Sequence, residues 1–201
     1  MKLHDVFGDI DIYLFDQLLK GRIRTGDRIL DAGCGSGRNL IYLLRQGFDV
    51  SAVDPNPYAV EEVRELAARL APSLEPGRFR QEPLEAMSFP DSAFSVVVSS
   101  AVLHFAKDDA HFEAMVRGLW RVLAGGGMLF TRLATTIGFA DRIRPLGDNR
   151  FALPDGSERY LASESALMHW TDVLGGQLLE PLKTTLVQDQ RAMTTWIVRK
   201  A

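Results

Sequence analysis

One cysteine, Cys34, stands in 201 residues, so no disulfide can form within the chain and a zinc site built from thiolates is excluded. The four histidines do not make up for it. His111 and His169 fall on predicted helices with no second ligand at metal-binding spacing, so no metal is expected. Also missing is any apolar run long enough to cross a bilayer, or an apolar core behind Met1-Lys2-Leu3-His4-Asp5 of the kind a signal peptide carries. A cytoplasmic protein with no membrane partner is the expectation. Excess positive charge is lacking too: Lys and Arg total 23 against 26 Asp and Glu, a formal net charge of -3. Such a chain has no general attraction to nucleic acid or anionic lipid, and neither is expected as a partner. Arg132, Arg142, Arg144, Arg150 and Arg159 are interleaved with Asp141, Asp148, Asp155 and Glu158, so that stretch reads as a solvated surface whose charges cancel.

What is present suits one buried core, since 46% of the residues are hydrophobic and 24% charged. One domain over 1–201 is therefore expected. Apolar spacing alternates along the chain between two periods. Residues 28–32, 49–53, 94–99 and 127–133 are short, apolar and β-branched, as buried strands are, with a weaker candidate at 77–81. Between them, Ala59, Val60, Val63, Leu66, Ala67 and Leu70 share one helical face, behind Asn56 as cap and Pro57 in the first turn. Phe112, Met115, Val116, Leu119, Val122 and Leu123 repeat the pattern from Asp108 to a stop at Gly125-Gly126-Gly127. Leu40, Leu43 and Leu44 mark a shorter helix.

Strand and helix in alternation imply parallel strands with right-handed crossovers, hence a doubly wound α/β sheet with helices on both faces. The last third departs from this. A helix at 163–174, capped by Ser163, is followed by strand-like runs near 178–187 and 191–199, whose short link permits a hairpin and not a crossover. A helical cap is expected at about 9–21. Residues 134–162 read as an irregular insertion, and long loops in compact domains often carry function.

Chemistry concentrates in Leu30-Asp31-Ala32-Gly33-Cys34-Gly35-Ser36-Gly37-Arg38-Asn39, where the first strand turns into a helix. Its glycines let the backbone bend sharply and come close to a ligand. Asp54 ends the second strand, where a carboxylate can accept from both hydroxyls of a ribose. These residues alone predict a nucleoside-containing ligand at the carboxyl edge of the sheet. A dinucleotide site would place its third glycine or alanine at position 38, which is arginine. Asp31 before the turn suits an α-ammonium group and would repel a pyrophosphate.

At these residues the chain resembles the class I S-adenosylmethionine-dependent methyltransferases, in particular their small single-domain members. Leu30–Gly37 is similar to that family's cofactor loop and Val53-Asp54 to its ribose-binding acid. Phe89–Phe94 and Arg121–Gly127 are similar to the segments leading into its fourth and fifth strands. The resemblance implies a seven-stranded, mostly parallel Rossmann-like sheet ending in an antiparallel hairpin, with S-adenosylmethionine as cofactor. It implies a cofactor site drawn from Tyr13, Asp31, Ala32, Gly33, Gly35, Gly37, Asp54, Pro55, Glu82, Leu84 and Ser99, with Glu85 as the alternative to Glu82 beside the adenine. The chain departs from the family at that acid, at Ser95 and at Ala124. It also has Ser99-Ser100-Ala101-Val102 where enzymes methylating amide or base nitrogens carry Asn-Pro-Pro-Tyr.

Methyl transfer needs a nucleophile held in line with the sulfur–carbon bond, and needs a base only when the acceptor must lose a proton. His104, just past the fourth strand, is the candidate base, and Phe105, Phe139, Tyr160 and Tyr13 are candidates to line an acceptor pocket. A small-molecule acceptor is the expectation; the sequence leaves its identity and the oligomeric state open. Two other functions compete: a non-catalytic binder of the same cofactor, and an NAD(P)-dependent oxidoreductase. Against the latter stand Arg38 and the lack of a Tyr-x-x-x-Lys pair.

Overall fold

The computed structural model describes residues 2–201; Met1, where the signal-peptide reading begins, lies outside them. In chain order the helices are α1 (Leu3–Phe7), α2 (Ile12–Leu19), α3 (Leu40–Arg45), α4 (Pro57–Leu70), α5 (Asp109–Val122) and α6 (Glu164–Val173). The strands are β1 (Arg28–Ala32), β2 (Asp49–Val53), β3 (Phe79–Arg80), β4 (Phe94–Ser100), β5 (Leu123–Ala134), β6 (Arg144–Gly147), β7 (Arg150–Ala152), β8 (Glu158–Tyr160), β9 (Gly176–Leu178), β10 (Lys183–Val187) and β11 (Arg191–Lys200).

The main sheet runs β10-β11-β5-β4-β1-β2-β3, with β9 added on β11. Its pairs from β3 to β5 are parallel, while β11 is antiparallel to β5, β9 and β10. This is the expected Rossmann-like sheet with its antiparallel ending. Alternation within the strands feeds two apolar layers: Leu30, Val97 and Leu129 face α5, while Ile29, Val96, Val98 and Phe130 face α3 and α4. Strands covered on both faces must be apolar throughout, which is why 94–99 shows no polar alternation.

Caps act as the sequence suggests. The side chains of Asn56, Asp108 and Ser163 accept from Tyr58, His111 and Ala166 N–H groups. Asp11 does the same for α2 through Tyr13 N–H. Gly118 sits where α5 crosses the turn Leu84–Ala86, and a Cβ there would lie 2.1 Å from Leu84 O. Only a residue without a side chain lets that turn press onto the helix.

Four expectations need correction. Residues 134–162 are not irregular: β6, β7 and β8 form a small antiparallel sheet of their own. Asp148 and Asn149, both at positive φ, make the two-residue turn between β6 and β7. Helix α5 stops at Val122, and Gly125–Gly127 belong to β5, where a Cβ on Gly127 would lie 2.8 Å from Ser95 O of β4. The run 178–187 is two strands, since Pro181 between them has no N–H to give a ladder. The candidate at 77–81 shrinks to Phe79–Arg80 behind a 3-10 turn at Pro76–Arg78.

Candidate active site

The bend after β1 depends on its glycines. Gly33, Gly35 and Gly37 have φ of 81°, 51° and 79°, a region where a Cβ is penalised. Their spatial demands differ. An added Cβ would lie 2.4 Å from Val102 Cγ2 at Gly33 and 3.0 Å from Val63 Cγ2 at Gly37, but meets nothing within 4 Å at Gly35. The outer two let the turn pack against its neighbours, and the middle one faces open space. Gly33 and Cys34 N–H donate to Val53 O at 2.8 and 3.1 Å, tying the turn to the end of β2.

Asp54 stands just beyond that strand end. Its Oδ2 accepts from Gly35 N–H and its Oδ1 from Asn56 N–H, each at 2.9 Å. Each oxygen keeps a lone pair for a ligand hydroxyl. A cleft of about 660 Å³ opens here, lined by Gly33, Gly35, Asp54 and Pro55 from the turns after β1 and β2. Leu84, Glu85 and Met115 line it from the turn that Gly118 admits and from α5, and Arg38, Ser100, Ala101, Phe105, Lys107 and His111 are among the remaining lining residues.

Asp31, two residues before Gly33, is 2% exposed, and neither of its carboxylate oxygens has a hydrogen-bond partner. Burial pushes its pKa up to about 7, against the opposing pull of the Arg38 guanidinium and with a small further push from Asp54. An unpartnered buried carboxylate is costly, and a cationic ligand group would relieve it. Asp31 does not itself line the cleft; it lies behind Gly33, which does.

The other expected cofactor residues divide. Leu84 and Pro55 line the cleft; Ala32 stays within β1, fully buried. Glu82 is occupied elsewhere, accepting from Ser88 N–H at 2.8 Å and from its hydroxyl at 2.5 Å, and it is Glu85 that lines the cleft. Ser99 is fully buried with its hydroxyl unpartnered, while its neighbour Ser100 lines the cleft. Tyr13 is not brought to the cleft; its hydroxyl pairs with Thr185 Oγ1 at 2.6 Å. Burial pushes the Cys34 thiol well above its ordinary range, so it stays protonated and inert.

Two residues escaped the sequence reading. Arg38 donates to Ser100 Oγ at 3.0 Å and lines the cleft. Asp11, 3% exposed, accepts from Ser100 Oγ at 3.0 Å and Arg132 Nη1 at 3.3 Å, and its N–H donates to Asn39 Oδ1 at 2.9 Å. No local pattern marks Asp11; only a buried network spanning distant segments reveals it. For Arg38 the signal was a cation at the exit of a glycine turn.

A second cavity, of about 580 Å³, shares Ala101 and Phe105 with the first. His104, Arg132, Arg159 and Arg191 line it with Leu153 and Met193. Ala101, where the cavities meet, has φ 65°, a left-handed conformation that costs a non-glycine residue about 1–3 kcal/mol and tends to occur at functional sites. His104 is 8% exposed, and its Nδ1 accepts from Ala134 N–H at 3.2 Å. Burial, then the guanidiniums of Arg159, Arg191 and Arg132, pull its pKa down to about 4. Phe139 and Tyr160 are core residues, not lining; the Tyr160 hydroxyl donates to Asp109 at 2.8 Å. Among the described residues no cluster of His, Cys, Asp and Glu is placed to hold a metal, and no helix is long and apolar enough to cross a membrane.

Residues 30–131 match the methyltransferase domain family. The chain belongs to that family. This methyltransferase is 36% identical over 105 residues to a ubiquinone biosynthesis O-methyltransferase of Methylocella silvestris, covering 52% of this chain and 39% of that protein. It is 35% identical over 121 residues to an eEF1A lysine and N-terminal methyltransferase homolog of Drosophila melanogaster, covering 57% of this chain and 17% of that one. The methyltransferase thus matches well under half the length of either relative. Its fold is similar to that of a SAM-dependent methyltransferase from Methanosarcina mazei, with a TM-score of 0.69 at 21% identity, covering 91% of this chain and 96% of that one. It is also similar to the Burkholderia thailandensis 1,6-didemethyltoxoflavin-N1-methyltransferase, with a TM-score of 0.70 at 19% identity, covering 94% and 76%.

Proposed function

We propose that the chain transfers the methyl group of S-adenosylmethionine to a small-molecule acceptor seated in the second cavity. One observation carries this reading: two cavities of ligand size meet at Ala101 and Phe105, beyond the end of β4. An acceptor buried in a space of about 580 Å³ is a small molecule or one side chain of a larger one, and the walls contributed by β8 and β11 favour the former. The reading treats the chain as one methyltransferase domain, with α1 and α2 as a cap and 134–162 as an insertion over the acceptor.

The cofactor's sulfonium supplies an electrophilic methyl group, so the protein's task is placement. Asp31 would neutralise the ammonium, and Arg38 and Lys107 are the cations in the lining that could meet the carboxylate of the same moiety. Asp54 accepts from the ribose hydroxyls; Gly33 and Gly35 leave room for close approach. Leu84 and Met115 would flank the adenine, with Glu85, not Glu82, available to its amino group. Phe105 and Ala101 lie at the boundary between the two compartments.

His104 acts differently from a base. With Nδ1 engaged by Ala134 N–H, the neutral ring carries its proton on Nε2, so it donates a hydrogen bond and does not abstract a proton. Its role is then to orient the acceptor.

The test is calorimetry with S-adenosylmethionine and its demethylated product, followed by transfer of a tritiated methyl group to cell extract separated by size. Label in the low-molecular-weight fraction is expected. Label confined to protein would overturn the small-molecule reading, and absence of cofactor binding by folded protein would overturn all of it.

A further inference from the structure

The stretch whose charges cancel in sequence does not cancel in space. Of its arginines, Arg132 and Arg159 turn toward the second cavity, where Arg191 from β11 joins them. Of its acids, Asp141, Asp148 and Glu158 are not in the lining. Glu158 lies 3.4 Å from Arg150, and neither of those residues lines the cavity. Asp155 is the one carboxylate in the lining, and it is engaged: it accepts from Ser157 and from Arg191 Nη2, the latter at 2.5 Å. Arg132 shares Asp11 with Arg38. Arg159 has no carboxylate within ion-pair distance among the described residues; its guanidinium lies over the Phe105 ring, 4.9 Å from the centroid. Three guanidiniums against one carboxylate leave the lining cationic inside a chain that is acidic as a whole.

The histidine in the same lining agrees. His104 is held neutral with Nε2–H as its free polar group, and the guanidiniums that face it are those same three, from β5, β8 and β11. The charged groups in the lining are donors apart from Asp155, which is already taken, and the remaining polar side chains, Ser157, Gln188 and Gln190, are neutral. Beside them lie Leu153, Met193 and the Phe105 ring, an apolar surface suited to a carbon skeleton.

We propose that the methyl acceptor carries an anionic oxygen group, a carboxylate or a phosphate, that docks on Arg159 with Arg132 and Arg191 beside the Nε2–H of His104. This rests on the methyltransferase reading above and adds the substrate class to it. Guanidinium is the side chain best matched to such groups, because its parallel N–H bonds pair with two oxygens at once. Phe105, which lies under Arg159 and lines both cavities, links anion binding to the boundary where the methyl group crosses.

The experiment uses the full chain saturated with S-adenosylhomocysteine, whose own binding is measured first by calorimetry. Three probes of one shape are then titrated: benzoate, phenyl phosphate and benzamide. Benzoate or phenyl phosphate should bind at least about tenfold more tightly than benzamide, and the preferred one identifies the group. Arg159→Gln should weaken the anion by about tenfold or more and leave S-adenosylhomocysteine unaffected; Arg159 carries no ion pair, so the variant should fold. Arg191→Gln should give a smaller loss, because Asp155 holds that residue already. The proposal is overturned if, with S-adenosylhomocysteine bound, benzamide matches the anions, no probe binds, or Arg159→Gln leaves anion affinity unchanged. Failure of S-adenosylhomocysteine itself to bind would strike the underlying reading instead.

Discussion

The carboxylate of Asp11 stands 3.3 Å from the guanidinium of Arg132, joining the start of the chain to the far end of β5. That one side chain caps α2, receives the hydroxyl of Ser100 and lies 3.6 Å from Arg38. Asp11→Ala removes a cap and leaves buried donors without an acceptor, so it should destabilise the fold by about 1–3 kcal/mol. It should also weaken cofactor binding, because Arg38 and Ser100 lose their carboxylate partner, while the backbone N–H of residue 11 keeps its bond to Asn39. Urea unfolding and calorimetry on the same sample check both; a loss of stability with unchanged affinity would show that the network does not reach the cleft.

Asp31 and His104 impose opposite pH dependences on the apoprotein. Asp31 is raised to about 7 from an unfolded value of about 4, so the native state binds the extra proton and stability falls as pH rises between those values. His104 is lowered to about 4 from about 6.5; its contribution is complete above 6.5 and is lost as pH falls toward 4. The two slopes oppose each other in the native chain. Asp31→Asn should expose a steeper acid loss, and His104→Gln should produce a protein that weakens from pH 4 to pH 7. Thermal melts across pH check this, and parallel profiles for both variants would contradict it. In the intact enzyme, cofactor affinity should rise with pH through about 7 as Asp31 ionises, while no limb near 6.5 should appear in the rate.

Gly33 and Gly35 separate folding from binding. Gly33→Ala combines a left-handed backbone with a Cβ 2.4 Å from Val102 and should cost about 2–4 kcal/mol. Gly35→Ala has the backbone penalty alone, about 1 kcal/mol, yet its methyl group enters the space the cofactor needs. The second variant should melt close to the parent and bind S-adenosylhomocysteine far more weakly. Equal affinity for the two proteins would mean that the cofactor does not approach this turn.

Glu85 and Glu82 compete for one role. Glu85→Gln should weaken the whole cofactor, and weaken binding of adenosine alone in proportion, since both carry the adenine. Glu82→Gln should act through the Ser88 turn it holds, lowering stability with little effect on adenosine. The reverse pattern in competition calorimetry would restore Glu82 to the site.

The sequence by itself determined the main sheet, its order of elements and the glycine turn at which the candidate cofactor site is built. These are local properties: apolar periodicity along 28–32, 49–53 and 94–99, Asn56 and Asp108 at helix starts, and three glycines whose positive φ any reader of Gly-x-Gly-x-Gly expects. Tertiary structure decided what depends on which distant groups face one another. Glu82 or Glu85, Ser99 or Ser100, and the removal of Tyr13 to Thr185 turn on side-chain direction, which a one-residue step reverses. Arg132, Arg159 and Arg191 come from three strands, and only their meeting across the fold shows that one carboxylate, Asp155, joins them in the lining. Charge in a sequence sums along a line, but a ligand meets the potential of a cavity, and that sum is taken in space.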